Sequence, residues 1–180
     1  MHPRTHELLD YLERQRAVLR AAFDAVEPSY RDRAPAPGRW SAAGCVEHLA
    51  IVEQLIAKRL TTNVASAGEA GLGPETSAEP ILPTVNVAMV LNRGTKVNAP
   101  DPIQPTGLAV DASWAAIERS RVVLRDAVTA CDGLAIGGVS WPHPLFGPMS
   151  AYQWIAFHGA HEARHAAQIR EIAETLSAVR

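Results

Sequence analysis

Apolar residues recur at helical spacing in four stretches of the chain. Leu8, Leu12, Leu19, Phe23 and Val26 share one face of a helix expected over 5–26. A second helix, capped by Ser41 and running to 60, carries Cys45, Leu49, Val52, Ile56 and Leu60. A third, over 111–131, uses Trp114, Ile117, Leu124 and Val128. The fourth begins at the cap candidate Ser150 and continues to 176 through Trp154, Ile155, Ile169 and Ile172. Prolines punctuate the same pattern. The 13 of them cluster at Pro3, 28–37, 74–105 and 142–148, leaving the four stretches free of a residue that helix interiors reject.

Helices of about 20–27 residues are roughly 30–40 Å long. Four of matched length pack as an all-α four-helix bundle, here a single domain over 1–180 with no internal repeat. Segment 61–110 is the unusual connection, because a structureless loop of that length is uncommon in a compact domain. A short helix is expected at 84–93, between Pro83 and Gly94, and the remainder, including Pro100-Asp101-Pro102, reads as an extended crossover. Such a crossover lets helices two and three run parallel.

Composition narrows the function classes. With 17 Lys+Arg against 19 Asp+Glu the net charge is −2, which leaves no cation surplus for a nucleic-acid backbone. A hydrophobic share of 47% with 20% charged residues describes a globular domain. Two cysteines make no disulfide framework and Met1–Glu7 has no apolar leader, so a reducing cytoplasm is the expected location. Between Asp132 and Glu162 no Asp, Glu, Lys or Arg occurs, but Pro142, Pro144 and Pro148 break the stretch, and no membrane span is expected.

The chemistry concentrates in the last helix. At ~100° per residue, His161 and His165 lie about 40° apart and one turn separated, on the arc that carries Ile155, Ile169 and Ile172. Imidazoles aimed into a core need partners, and a divalent metal supplies one. A third histidine, His48, lies beside the apolar stripe of helix two. Three neutral imidazoles leave coordination positions open, which suits catalysis or ligand exchange rather than a closed structural site. Water or a small thiol is the expected occupant. Zinc or nickel is the first expectation for the metal, with iron and manganese also compatible. His161-Glu162-Ala163-Arg164-His165 fits the metalloprotease letters H-E-x-x-H, yet no histidine follows it and an all-α chain has no substrate-binding sheet. Gly44 and Gly159, each costly inside a helix, imply close backbone approach, either at a crowded site or between helices.

Taken in order, four motifs resemble the DinB/YfiT-like superfamily of bacterial metal-binding four-helix proteins. They are Trp40-Ser41-x6-His48-Leu49, Lys96-Val97-Asn98-Ala99-Pro100 with Pro105-Thr106-Gly107, the run from His143 to Ser150, and His161-x3-His165-x2-Gln168-Ile169. The resemblance implies an up-down-down-up bundle and maps His48, His161 and His165 onto the family's metal triad. It further implies homodimers and, for several members, thiol S-transferases using mycothiol, bacillithiol or glutathione, or a related isomerase; many members have no known activity. The expected partners are therefore a small-molecule thiol or electrophile. The alternative is a non-catalytic metal- or ligand-binding module, such as a stress-associated sensor.

Other residues carry two readings each. His158 lies within roughly 20° of His165 on the helical wheel and is either a fourth ligand, a hydrogen-bond partner of one, or a satisfied core histidine. Gln168 orients a ligand ring or is a plain interfacial amide. Cys45, one turn before His48, is a thiolate ligand favouring zinc or a small buried hydrophobe. Cys131 reads as structural. Arg121 interrupts the stripe of helix three and either binds a substrate carboxylate or snorkels at the core edge. Gln15 and Arg16 in helix one read the same way. His143 borders a pocket mouth, Trp40 and Trp141 anchor loops, and the terminal His2 and His6 are solvated.

Overall fold

The computed structural model describes residues 1–94 and 98–178. Lys96 and Val97, part of one motif above, lie outside the described residues. Helices run over Pro3–Asp24 (α1), Ala42–Glu69 (α2), Val87–Leu91 (α3), Val110–Ala130 (α4) and Ala151–Ser177 (α5). Strands Ser140–His143 (β1) and Gly147–Ser150 (β2) form an antiparallel hairpin before α5. No helix among the described residues is long and apolar enough to cross a membrane.

Helix starts follow their caps. Ser41 accepts from the Gly44 amide, and Ser150 forms a reciprocal capping box with Gln153. α1 starts two residues earlier than expected, because Pro3 occupies the first turn and the His2 ring accepts from the Arg4 amide. His2 is thus a cap, not a solvated terminal residue; His6 is exposed beside Asp10. α2 runs nine residues past the expected end at Leu60. Thr61-Thr62-Asn63 interrupts the stripe, but Val64 resumes it one turn on and is buried. The crossover therefore begins at Ala70. It contains α3, shorter than the expected 84–93 helix, and 3-10 turns at Leu82–Thr84 and Asp101–Ile103. The hairpin was not expected from a proline-rich segment. Pro142 and Pro148 face each other across it, so two residues lacking N–H groups share one rung of the ladder.

Contacts fix the helix directions. Arg4 lies over the Tyr152 ring, Tyr11 meets Gly159 and Arg16 pairs with Glu162, so α1 and α5 run parallel. Glu53 meets Ser120 and Arg121, with Cys45 and Leu49 near Ile117 on one side and Leu60 near Val128 on the other, so α2 and α4 run parallel. His48 meets His161 and His165 while Glu53 meets His158, which makes α2 and α5 antiparallel. This is the up-down-down-up bundle. Gly159 marks the tightest approach: a Cβ there would stand 2.5 Å from the Tyr11 ring. At Gly44 the same atom would meet only ordinary contacts at 3.5 Å and beyond, so close approach explains one glycine and not the other.

The core is split in two. One apolar cluster holds Leu8, Leu12, Ile56, Leu60, Leu124 and Ile155; the other holds Leu19, Phe23, Leu49, Ile117, Ile169 and Ile172. Between them every long helix contributes a polar residue. Glu53 and Glu162 are 0% exposed, and both are bridged by Arg121 (2.6 and 2.9 Å) and by Arg16 (3.0 and 2.7 Å). The Ser120 hydroxyl donates to Glu53, and the Arg16 guanidinium also donates to the Ile117 carbonyl. Arg121 and Arg16 therefore neither snorkel nor wait for a substrate; they neutralise two buried carboxylates in mid-bundle.

Candidate metal centre

Immediately beside this ionic layer, His48 from α2 meets His161 and His165 from α5. Ring centroids are 5.1 Å apart for His48–His161 and His48–His165, and 4.6 Å for His161–His165. One nitrogen from each ring lies within 4.8 Å of the other two. His48 and His165 are buried and His161 is partly exposed.

Two features prepare the rings as ligands. His48 Nδ1 is 2.6 Å from the Ile103 carbonyl, an acceptor only, so Nδ1 carries the proton and Nε2 presents a lone pair. Burial pushes the pKa of all three imidazoles down. The Ile103 carbonyl opposes this at His48; at His161 the neighbouring His165 and His48 reinforce it, as do His48, Arg164 and Arg93 at His165. The neutral form that results is the one that binds metals.

The donor set fits a divalent ion. His161 Nε2 and His165 Nε2 are 3.0 Å apart. Nitrogens about 2.0–2.1 Å from a shared ion stand about 2.9 Å apart at a right angle and about 3.3 Å at the tetrahedral angle. Aromatic rings wall the site: Trp40 packs on His48 (4.7 Å) and His165 (6.1 Å), and Phe157 stacks on His161 (5.4 Å). Trp40 is thus a wall of the site as well as a loop anchor, whereas Trp141 stacks on Trp154.

The crossover is held down next to His48. Glu47 accepts from the amide and hydroxyl of Thr106 (both 2.7 Å) and from the amides of Gly107 and Leu108 (3.1 and 3.0 Å). Gly107 adopts φ +95°, which lets successive amides turn toward one carboxylate. Burial raises the Glu47 pKa, but the Thr106, Leu108 and Gly107 donors outweigh it and hold the carboxyl below its usual range. Glu47 and the Ile103 contact fasten the crossover to α2 on either side of Gln104 and Pro105.

The remaining candidates divide. His158 is fully buried in the ionic layer, with Nε2 3.3 Å from Glu53 and 3.8 Å from Glu162, and stands outside the triad's donor group. Those three residues also form a compact donor set, but two guanidiniums already neutralise its carboxylates, and a dication would face both. Cys45 is buried among apolar residues outside the donor group, with its thiol pushed up to about 12 by burial; it is a hydrophobe here, not a ligand. Cys131 is buried and hydrogen-bonds the Ala127 carbonyl. Gln168 accepts from Arg93 at 3.5 Å and favours the protonated form of His165, against the trend of its other neighbours. His143 stacks on Phe146 (4.5 Å) and packs edge-on against Phe157 (4.9 Å), reaching the triad only through that ring. Glu162 turns to Arg16 and Arg121, so the protease-like letters have no base facing the histidines.

The order of these elements and the spacing of the histidines agree with a family assignment: the model of the DinB superfamily matches residues 11–169. The chain belongs to the DinB superfamily. Among its relatives, the uncharacterized protein YuaE of Bacillus subtilis (strain 168) is 28% identical over 149 residues, covering 79% of this chain and 82% of that protein. A solved structure, TT2238, described as a four-helix bundle protein, superposes with a TM-score of 0.58 at 20% identity, covering 93% of this chain and 98% of its own. That likeness is one of fold. For a DinB superfamily protein, the described residues place a three-histidine cluster between the long crossover and the last helix.

Proposed function

We propose that this DinB superfamily protein binds one divalent ion through His48, His161 and His165 and uses it to transfer a small-molecule thiol to an electrophile. The observation that carries the reading is the 3.0 Å approach of His161 Nε2 and His165 Nε2 beside a His48 ring whose proton is fixed on the opposite nitrogen. Without an ion, one of these two rings can only donate an N–H to the other; around a common cation all three imidazoles can offer a lone pair to one centre. A divalent ion there supplies the positive charge that favours thiolate over thiol at neutral pH. The chain's own residues do the rest. The Ile103 carbonyl fixes the His48 ring, Trp40 and Phe157 keep water from two sides, and the partly exposed His161 edge leaves an approach for substrate.

Elemental analysis of purified protein tests the first half. About one zinc or nickel ion per chain is expected, falling to background in His48→Ala and His161→Ala; full retention by both variants overturns the assignment. A screen of low-molecular-weight thiols against small electrophiles, read as thiol consumption, tests the second half. Thiol binding without consumption points instead to a ligand-binding module.

A further inference from the structure

The three imidazoles differ in what engages their second nitrogen. His48 Nδ1 donates to the Ile103 carbonyl at 2.6 Å, whereas His161 Nδ1 and His165 Nδ1 are buried with no hydrogen-bond partner among the described residues. A metal-bound imidazole normally donates its other N–H to an acceptor that fixes the tautomer and aims the ring. Among the described residues the crossover alone supplies such an acceptor, so whatever holds the crossover bears on the site. The turn at Ile103 is braced from within. The Ile103 amide donates to the Pro100 carbonyl (3.0 Å), and the Gln104 side chain donates to the Ala99 carbonyl (3.1 Å) and the Asp101 carboxylate (3.2 Å). Pro102 and Pro105 each fix a φ on either side of that carbonyl.

Only Gln104 and Pro105 separate Ile103 from Thr106, where four donors close on the buried Glu47 carboxylate. Oε1 takes the amide and hydroxyl of Thr106, and Oε2 takes the amides of Gly107 and Leu108. Glu47 and His48 are consecutive on α2 and leave the helix ~100° apart. The crossover must therefore run across both side chains, and a segment this short and stiff passes a displacement at one end to the other. We infer that Glu47 is a positioning residue of the metal centre. It stands outside the donor group, yet by pinning Thr106, Gly107 and Leu108 it holds the Ile103 carbonyl against His48 Nδ1 and so leaves Nε2 free for the ion. The inference rests on the proposed divalent ion and adds a residue that sets one ligand's tautomer. The rival anchor is the Ile103 side chain itself, which packs against the apolar cluster of Leu8 and Leu60.

Two measurements on each variant decide it: the His48 ring nitrogens by long-range proton–nitrogen NMR of metal-free protein, and zinc affinity by competition with a chromophoric chelator. Wild type is expected to show His48 as a single Nδ1–H tautomer. Glu47→Gln turns an NH2 toward N–H donors, and should show both tautomers in exchange and zinc binding about tenfold weaker, the cost of losing an outer hydrogen-bond partner. Removing a negative charge near a dication weakens binding by itself, so charge-conserving variants separate the causes. Glu47→Asp keeps the charge but falls one methylene short. Thr106→Val keeps the charge and deletes one 2.7 Å bond. Both are expected to shift tautomer and affinity together, while Thr106→Ser behaves as wild type. Should Glu47→Gln fail to fold, the two Thr106 variants carry the same comparison. A His48 tautomer unchanged in the Glu47 and Thr106→Val variants, or zinc binding weakened in Glu47→Gln alone, overturns the inference and leaves the metal reading intact. Wild type that takes up no zinc overturns both.

Discussion

Replacing Arg121 by Met removes one of two cations from a layer that is closed to solvent. Arg121 is 6% exposed and donates to Glu53 at 2.6 Å and Glu162 at 2.9 Å, both carboxylates being 0% exposed. Burial alone would lower the Arg121 pKa, but Glu162 and Glu53 raise it well above the ordinary value. Burial would likewise raise Glu53, yet His158, Arg121 and Arg16 hold it far below the usual range. In Arg121→Met, Arg16 is the one guanidinium left facing both carboxylates, beside the His158 ring 3.3 Å from Glu53, and the charge balance among the two arginines and two glutamates falls by one unit. Removing one partner of a buried pair costs about 3–5 kcal/mol, far more than an exposed pair. For a chain of this length that lowers Tm by about 6–20 °C. The assay is urea and thermal denaturation of the wild type, Arg121→Met, Glu53→Gln and the double variant. Because the double variant restores neutrality among these groups, its loss should fall at least about 2 kcal/mol short of the sum of the single losses. A single variant within about 1 kcal/mol of wild type, or strictly additive losses, would refute the reading that the layer acts as one charge-balanced unit.

Other expectations are simpler. Gly159→Ala drives a methyl to 2.5 Å from the Tyr11 ring. Overpacking of about 1–3 kcal/mol should outweigh the ~1 kcal/mol gain in helix propensity, so denaturant midpoints fall, whereas Gly44→Ala is neutral or stabilising by up to ~1 kcal/mol. Glu75 sits under Arg4 (2.7 Å) and the Tyr152 hydroxyl (2.9 Å). Burial raises its pKa, but the Ser77 amide, Tyr152 and Arg4 override this and lower it from the ordinary 4.5 to about 2. Its contribution is therefore complete above pH 4.5 and fades as pH falls toward 2. Acid titration of stability should show Glu75→Gln less stable than wild type at neutral pH, with the gap closing through that window; a gap independent of pH would contradict the assignment.

Much of this was legible in the sequence, and the exceptions share a cause. Helix periodicity, the caps Ser41 and Ser150 and the one-turn spacing of His161 and His165 are local properties, and they appear in the structure as written. His158 lies on the same arc as His165 but seven residues away, roughly 10 Å along the axis, so angular position alone suggested a shared site that axial rise forbids. Arg16, Arg121, Glu53 and Glu162 each interrupt one helix's stripe singly. From one helix a charge on the inner face cannot be told from a snorkelling one; only the packed bundle pairs it. Glu47, in an unbroken buried run from Ala42 to Ala50, carried a readable signal, since a carboxylate there must find donors. The β-hairpin was hidden because prolines usually argue against strands, and two of them facing each other remove the objection.

The ionic layer and the histidine cluster also depend on one helix register. The antiparallel alignment of α2 and α5 that places Glu53 against His158 is the alignment that places His48 against His161 and His165. A slip of one turn, about 5.4 Å, would unpair two buried carboxylates and separate the imidazoles together. Unpaired buried charges are costly, so the layer holds the triad in position before any ion arrives. Apo protein should therefore keep its fold, and Arg121→Met should weaken zinc binding although Arg121 touches none of the three histidines. Zinc competition with a chromophoric chelator reads the effect: unchanged zinc affinity in a folded Arg121→Met protein would show that the triad is positioned by something other than the layer beneath it.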